Sequence, residues 1–317
     1  MQNLYDSIRV SMYLAFIVQV ALPPYFIYRV WRAGSRIGLL SSLLLGAPFL
    51  AFMYVVLPWS ISSVYLRHLF PFLFALLVLV RLMKWGSLSW LPSLEGMRNR
   101  ISFWGGVFFD GVLALIAVYF LVEGIRGLRV PEGLELGSPV RYGFVFHGGA
   151  SSMLNYHFPN RAQRYAMDIQ GLHRWGGRAK GVYPSNLHHY AIFGDTVYSP
   201  CDCRVVRVVD GLEDNPPGVM DTVNLAGNHV ILLLERDGEA FMVILAHLMK
   251  GSIRVVEGDY VRSGTPIGLV GNSGNTTEPH LHIHAVRGSD PDSILLSEWI
   301  PIFIDGRFPV RNDLIGR

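Results

Sequence analysis

The apolar residues of this chain are crowded into four stretches before residue 130, and that crowding restricts the possible folds more than any motif does. A helix needs about 20 apolar residues to cross the hydrocarbon core of a bilayer. The four stretches reach or approach that length: about Val10–Tyr28, Ile37–Leu57, Val64–Met83 and Phe103–Val122. Backbone groups in hydrocarbon must be satisfied within their own segment, so each stretch is read as a transmembrane helix. Pro23 and Pro24 are expected to kink the first. No small-residue cleavage site follows that stretch, so it is read as a retained span and not a signal peptide. Asp110, inside the fourth, is read as an interhelical hydrogen-bond partner near one end of the bundle.

Short loops between the spans carry unequal charge. Arg29, Arg32, Arg36, Arg81, Lys84, Arg98 and Arg100 lie on one side, against Arg67, Arg126 and Arg129 on the other. Positive residues favour the cytoplasm, which puts both termini and everything beyond residue 130 outside it. The first domain is therefore read as residues 1–130, a multi-pass bundle whose partner is the lipid bilayer. Pro131 marks a fair boundary in a linker containing Arg129-Val-Pro-Glu-Gly and Gly137-Ser-Pro.

Residues 131–317 read differently, as short β-rich runs broken by Gly, Pro, Asn and Asp, with a core at about 140–290. Strands are expected near Tyr142–Phe146, Tyr165–Ile169, Thr196–Tyr198, Arg204–Val209, His229–Glu235, Phe241–Ala246, Pro266–Val270 and Leu281–Val286. No convincing helix accompanies them, so the fold class is a mainly antiparallel β domain. A net charge of +3 and the lack of any basic block interleaved with aromatics argue for no nucleic-acid partner. Two cysteines, Cys201 and Cys203, are too few for a disulfide scaffold. Whether they pair with each other is left open.

The chemistry gathers between Gly264 and His284. A short apolar run through Ile267, Leu269 and Val270 leads into the turn Gly271–Gly274, and beyond Pro279 three histidines alternate with Leu281 and Ile283. Side chains two apart on a strand share a face, so His280, His282 and His284 point one way and the apolar pair enters the core. Imidazole is the commonest neutral ligand for zinc, and a His-x-His face points to a divalent metal.

The runs Tyr198-Ser-Pro-Cys-Asp, Gly227-Asn-His-Val, Ala246-His-Leu, Val256-Glu-Gly-Asp-Tyr-Val-Arg-Ser-Gly and Pro279-His-Leu-His resemble, in family order over residues 157 to 287, the lysostaphin-type (LytM-like) zinc metallopeptidases. Those are bacterial hydrolases that cut peptide cross-links of the cell wall. The resemblance implies Zn2+ as cofactor, peptidoglycan peptide as substrate, and a place in the bacterial plasma membrane for a member with this anchor. It makes His282 and Asp168 metal ligands and His247 and His280 catalytic. Where the family has a further histidine four residues before the aspartate, this chain has Arg164, which stays protonated and cannot ligate. His157 is the nearest upstream replacement and is read as the third ligand. The competing reading is a catalytically inactive relative that binds wall peptide or regulates another hydrolase. His284 is read as supporting His282, and His147, His173, His188 and His189 as surface or loop residues.

Overall fold

The computed structural model describes residues 2–130 and 132–316, apart from the side chains of residues 2–5 and 162. Pro131, the expected boundary, lies outside the described residues. The apolar half forms four helices, α1 (Gln2–Arg32), α2 (Arg36–Val56), α3 (Val64–Met83) and α4 (Gly96–Arg126). All four are long and apolar enough to cross a membrane. α2 and α3 match their apolar stretches closely, whereas α1 and α4 begin well before theirs. An apolar run marks hydrocarbon depth rather than the end of a hydrogen-bonded helix, so polar turns such as Ser7–Arg9 continue it unannounced. α1 also runs through Pro23 and Pro24 as one helix. Ser35 and Ser63 cap α2 and α3, each accepting a bond from a backbone N–H of the first turn.

Inside the bundle, Asp110 of α4 accepts two bonds from Arg29 of α1, at 2.7 and 2.6 Å, and a third from Ser41 of α2 at 2.5 Å. The interhelical role read for it is what the bundle displays. Phe26, Val30, Leu39, Met53, Trp59 and Phe74 form the apolar core around which the helices pack.

The second half is built on one sheet. Its strands are β1 (Leu134–Leu136), β2 (Gly143–His147), β3 (Met167–Gln170), β4 (Thr196–Tyr198), β5 (Cys203–Val209), β6 (Asn228–Arg236), β7 (Glu239–Leu248), β8 (Tyr260–Val261), β9 (Pro266–Leu269), β10 (Leu281–Arg287), β11 (Glu298–Ile300), β12 (Ile302–Ile304) and β13 (Leu314–Ile315). The order β13-β2-β3-β10-β7-β6-β5-β8 forms the main sheet, with β11 also on β10, and its neighbours pair antiparallel. β4 pairs with β9, and β1 with β12 in parallel. Each expected strand is present. The five that sequence did not reveal, β1, β8, β11, β12 and β13, hold two or three residues apiece, too few for alternation to register. Leu281 and Ile283 are fully buried in the core, on the side away from the histidines of the same strand.

The two halves are bound at the turn between α2 and α3. The Trp59 amide donates to Asn312 Oδ1 at 3.0 Å, Asn312 Nδ2 donates to the Leu57 carbonyl at 2.9 Å, and Arg311 donates to the Val56 carbonyl at 2.8 Å. Ser60 meets the peptide of Arg178 and the side chain of Gln170, while Ser63 and Tyr65 donate to carbonyls of Trp175 and Arg174. The β domain is thus seated on the end of the bundle by polar contacts, of which those of the Trp59 amide and the Ser60 hydroxyl are buried.

Candidate metal centre

β3 and β10 bring the central pair together by register alone: Asp168 stands directly opposite His282. His282 Nδ1 lies 3.0 Å from Asp168 Oδ1. The other carboxylate oxygen, Oδ2, lies 2.9 Å from Nε2 of His157. His157 comes from no strand. Its loop is pinned by the fully buried Asn155, whose Nδ2 donates to the carbonyls of Gly149, Arg164 and Ala166 and whose Oδ1 accepts from the His157 amide. One oxygen and two ring nitrogens from three segments therefore lie within 4.8 Å of one another. Two imidazoles and a carboxylate form a donor set that suits zinc.

Two more histidines border this set. His280 Nδ1 donates to the Glu278 carbonyl at 2.8 Å, and its Nε2 stands 3.4 Å from Asp168 Oδ1. His247 Nδ1 donates to the Ser273 carbonyl at 2.8 Å, and the residue forms a second cluster with His280 and His282. His247 holds φ at 63°, a left-handed backbone that costs a non-glycine residue about 1 kcal/mol or more. Gly227, itself at φ 59°, lets the chain close against Ser273, where a Cβ would collide with the peptide that orients His247.

Burial works against ionising Asp168, but His157 and His280 outweigh it and hold the carboxyl well below the usual carboxylate range. Burial also favours neutral His280, yet Asp168 raises it above the ordinary histidine value. His247, His282 and His284 are lowered, chiefly by burial.

Around this centre the remaining histidines divide. His284 Nδ1 lies 3.0 Å from His282 Nε2, so it steadies the ring whose Nδ1 faces Asp168. His147 is not the loop residue expected: it ends β2 opposite Asp168, and Arg311 donates to its Nδ1 at 2.8 Å. Burial, helped by Arg311, pushes it down to about 3, which makes it neutral. His173 bonds the His189 carbonyl and stacks on Trp175, outside both clusters. Arg164 packs over the rings of Phe158 and Trp299, a cation–π role rather than a polar one. Cys201 and Cys203 are disulfide-bonded, with Cα atoms 5.5 Å apart across Asp202. Sequence reasoning overlooked Asn155 and the buried Arg178–Glu278 pair, whose Nε–Oε1 distance is 2.7 Å beside the His280 turn. A lone Asn in a loop and a Glu before Pro carry no signal of their own.

The centre opens on both sides. One lobe, of about 490 Å³, is lined by Pro159, Gln163, Leu225, Ile244 and His284; the other, of about 600 Å³, reaches Phe146, Gln170, Met220 and α1. Tyr156, His157, His247 and Asn275 line both.

Residues 188–292 match the family model of peptidase family M23; the match covers His247, His280 and His282 but begins beyond Asp168. No curated protein matches the chain. Among solved structures, a zinc-containing peptidase from Vibrio cholerae is 28% identical over 31% of this chain and 25% of its own, with a TM-score of 0.24. The catalytic domain of the antimicrobial peptidase lysostaphin from Staphylococcus simulans is 24% identical over 39% of this chain and 86% of its own, TM-score 0.24. An M23 peptidase structure from Pseudomonas aeruginosa is 20% identical, covers 54% of both chains and has a TM-score of 0.29. The chain spans a quarter of the first of these three.

Proposed function

We propose that this chain, whose residues 188–292 are of peptidase family M23, is a zinc-dependent endopeptidase anchored by residues 1–130 and acting outside the cytoplasm on peptides of the bacterial cell wall. Residues 131–317 carry the peptidase domain. The observation that supports this best is the buried Asp168 carboxylate faced by His157 and His282, with His247 and His280 alongside.

In this reading His157, Asp168 and His282 hold zinc. When bound, zinc supplies Lewis acidity, which acidifies water and polarises a peptide carbonyl. The chain's own residues supply orientation and proton handling. His247 and His280 each spend Nδ1 on a backbone carbonyl, which fixes the ring, and His280 Nε2 stands beside the Asp168 carboxylate. They take a proton from the attacking water, return one to the leaving amine and stabilise the oxyanion between those steps. His284 keeps His282 in the orientation that presents Nδ1. The two lobes let an extended peptide pass across the centre, with residues on either side of the scissile bond in each.

Arg164 is the feature that would favour an inactive relative. Its packing against Phe158 and Trp299, together with the approach of His157 to Asp168, supports an active site rebuilt with a different third ligand. The test is to incubate the purified chain with peptidoglycan and identify released fragments by mass spectrometry, with zinc content measured in parallel. Stoichiometric zinc and new peptide ends are expected. A zinc-free protein that releases nothing would favour the inactive relative.

A further inference from the structure

Four residues close a ring of hydrogen bonds where the sheet domain meets the turn between α2 and α3. Ser60 of that turn accepts the backbone amide of Arg178 on its carbonyl at 2.9 Å, and its hydroxyl donates to Gln170 Oε1 at 3.3 Å. Gln170 Nε2 donates in turn to Glu278 Oε1 at 2.8 Å. Arg178 grips the same carboxylate with two bonds, Nε to Oε1 at 2.7 Å and Nη2 to Oε2 at 2.8 Å. All four residues are at most 2% exposed.

Stability alone does not account for a charged pair at this depth. Taking a guanidinium and a carboxylate out of water costs about as much as their attraction gains, and apolar side chains of similar volume are often as stable. What a doubly bonded pair adds is a fixed geometry, and this one ends on His280. The carbonyl of Glu278 itself accepts His280 Nδ1 at 2.8 Å and the Thr276 hydroxyl at 2.9 Å. That bond keeps the proton of the neutral ring on Nδ1, while Nε2 stands 3.4 Å from Asp168. Pro279 restricts Glu278 to extended backbone, and the grip on its carboxylate removes much of the freedom that is left. The carbonyl cannot swing away from the ring without pulling the side chain from its partners. Tyr183 holds the preceding peptide, its hydroxyl donating to the Thr277 carbonyl at 2.6 Å.

We propose that Arg178 and Glu278 are positioning residues for His280, and that Ser60 makes the membrane half part of their support. This rests on the reading of His280 as a residue of the peptidase centre. Glu278 borders the cleft, but both its oxygens are taken by Arg178 and Gln170, so it acts through His280 and not on a substrate.

The test uses the full chain in detergent micelles with isotope-labelled histidine. Proton–nitrogen NMR reads how fast each ring N–H exchanges with water, and the His280 signal is assigned by its loss in His280→Phe. Arg178→Met combined with Glu278→Met fills the same space without a buried charge and should unfold near the parent's temperature. In it the His280 Nδ1 proton is expected to exchange at least about tenfold faster, as the loss of charge-assisted bonds implies. Ser60→Ala removes one neutral hydrogen bond and should speed the exchange by about fivefold. Glu278→Gln, which keeps the side-chain shape, is read beside them and should fall between the methionine pair and the parent. Parent-like exchange in the methionine pair or in Glu278→Gln, or free exchange in the parent itself, would overturn the positioning role. Parent-like exchange in Ser60→Ala would take the membrane half out of it. Cleavage of soluble peptidoglycan fragments is read separately. Where the parent cleaves, kcat of the methionine pair should fall by about 10²-fold, with KM and zinc content within about twofold of the parent. An unchanged kcat would contradict the positioning role as well. No cleavage by the parent would count against the peptidase reading and would leave the exchange rates to decide what Arg178 and Glu278 do.

Discussion

Asp110 and Asp168 are both buried carboxylates, and they meet opposite company. Asp110 lies in the helical bundle against a guanidinium that grips both its oxygens, with Ser41 adding a third bond. Its charge is answered by a group that is always cationic, so the contact is complete. Asp168 lies in the sheet domain among His157, His280 and His282, none of them a permanent cation. A carboxylate gripped by a guanidinium holds helices together; one faced by several imidazole nitrogens is a place for a metal.

The largest expected effects lie on the Asp168 side. His157→Ala, Asp168→Ala and His282→Ala should each lose the metal and with it all measurable hydrolysis, read as zinc per protein and as fragments released from peptidoglycan. His247→Ala and His280→Ala sharpen the distinction between holding a metal and moving protons. They should keep most zinc yet lose activity by roughly 10²–10⁴-fold. Full activity in His280→Ala would remove it from the machinery.

Asn155→Ala touches no substrate and tests whether the His157 loop needs its clamp. Zinc affinity should fall by about 10–100-fold, the range for outer-shell partners, as measured by competition with a chromogenic chelator. Parent-like affinity would mean that the loop holds itself.

On the Asp110 side the effect should appear in stability and not in metal. Asp110→Ala leaves Arg29 without its partner in the bundle and should cost about 3 kcal/mol, read by thermal unfolding in detergent, with zinc unchanged. Loss of zinc with no loss of stability would erase the contrast between the two carboxylates. The smallest effect concerns backbone strain at His247. His247→Gly should be more stable than His247→Ala by about 1 kcal/mol, since only glycine accepts φ near 63° without strain.

Much of this was legible in the sequence because it depends on spacing. Four apolar lengths gave four helices, and the alternation of Leu281 and Ile283 with histidines gave a strand with a core face and a polar face. Asp168 and His282 are 114 positions apart, and only a resemblance to known sequences joined them before register did. What escaped notice has physical reasons. His147 looked like a loop residue because the bulge at the end of β2 and its bond from Arg311 depend on pairings far along the chain. Asn155 is an ordinary turn residue until its three carbonyl partners are known. The reach of α1 over the cleft was hidden because Ile8 precedes the apolar run that announces the span.

The most direct test of the central claim is the metal content of His157→Ala beside the parent, with His147→Ala and His173→Ala as neighbours that should not ligate. Inductively coupled plasma mass spectrometry on the purified full-length chains is expected to find about one zinc per parent molecule, as a site with a single three-residue ligand set requires. The His147→Ala and His173→Ala chains should match the parent, and His157→Ala should hold none. If His157→Ala binds zinc as the parent does, the third ligand lies elsewhere and the centre built on Asp168, His282 and His157 is contradicted.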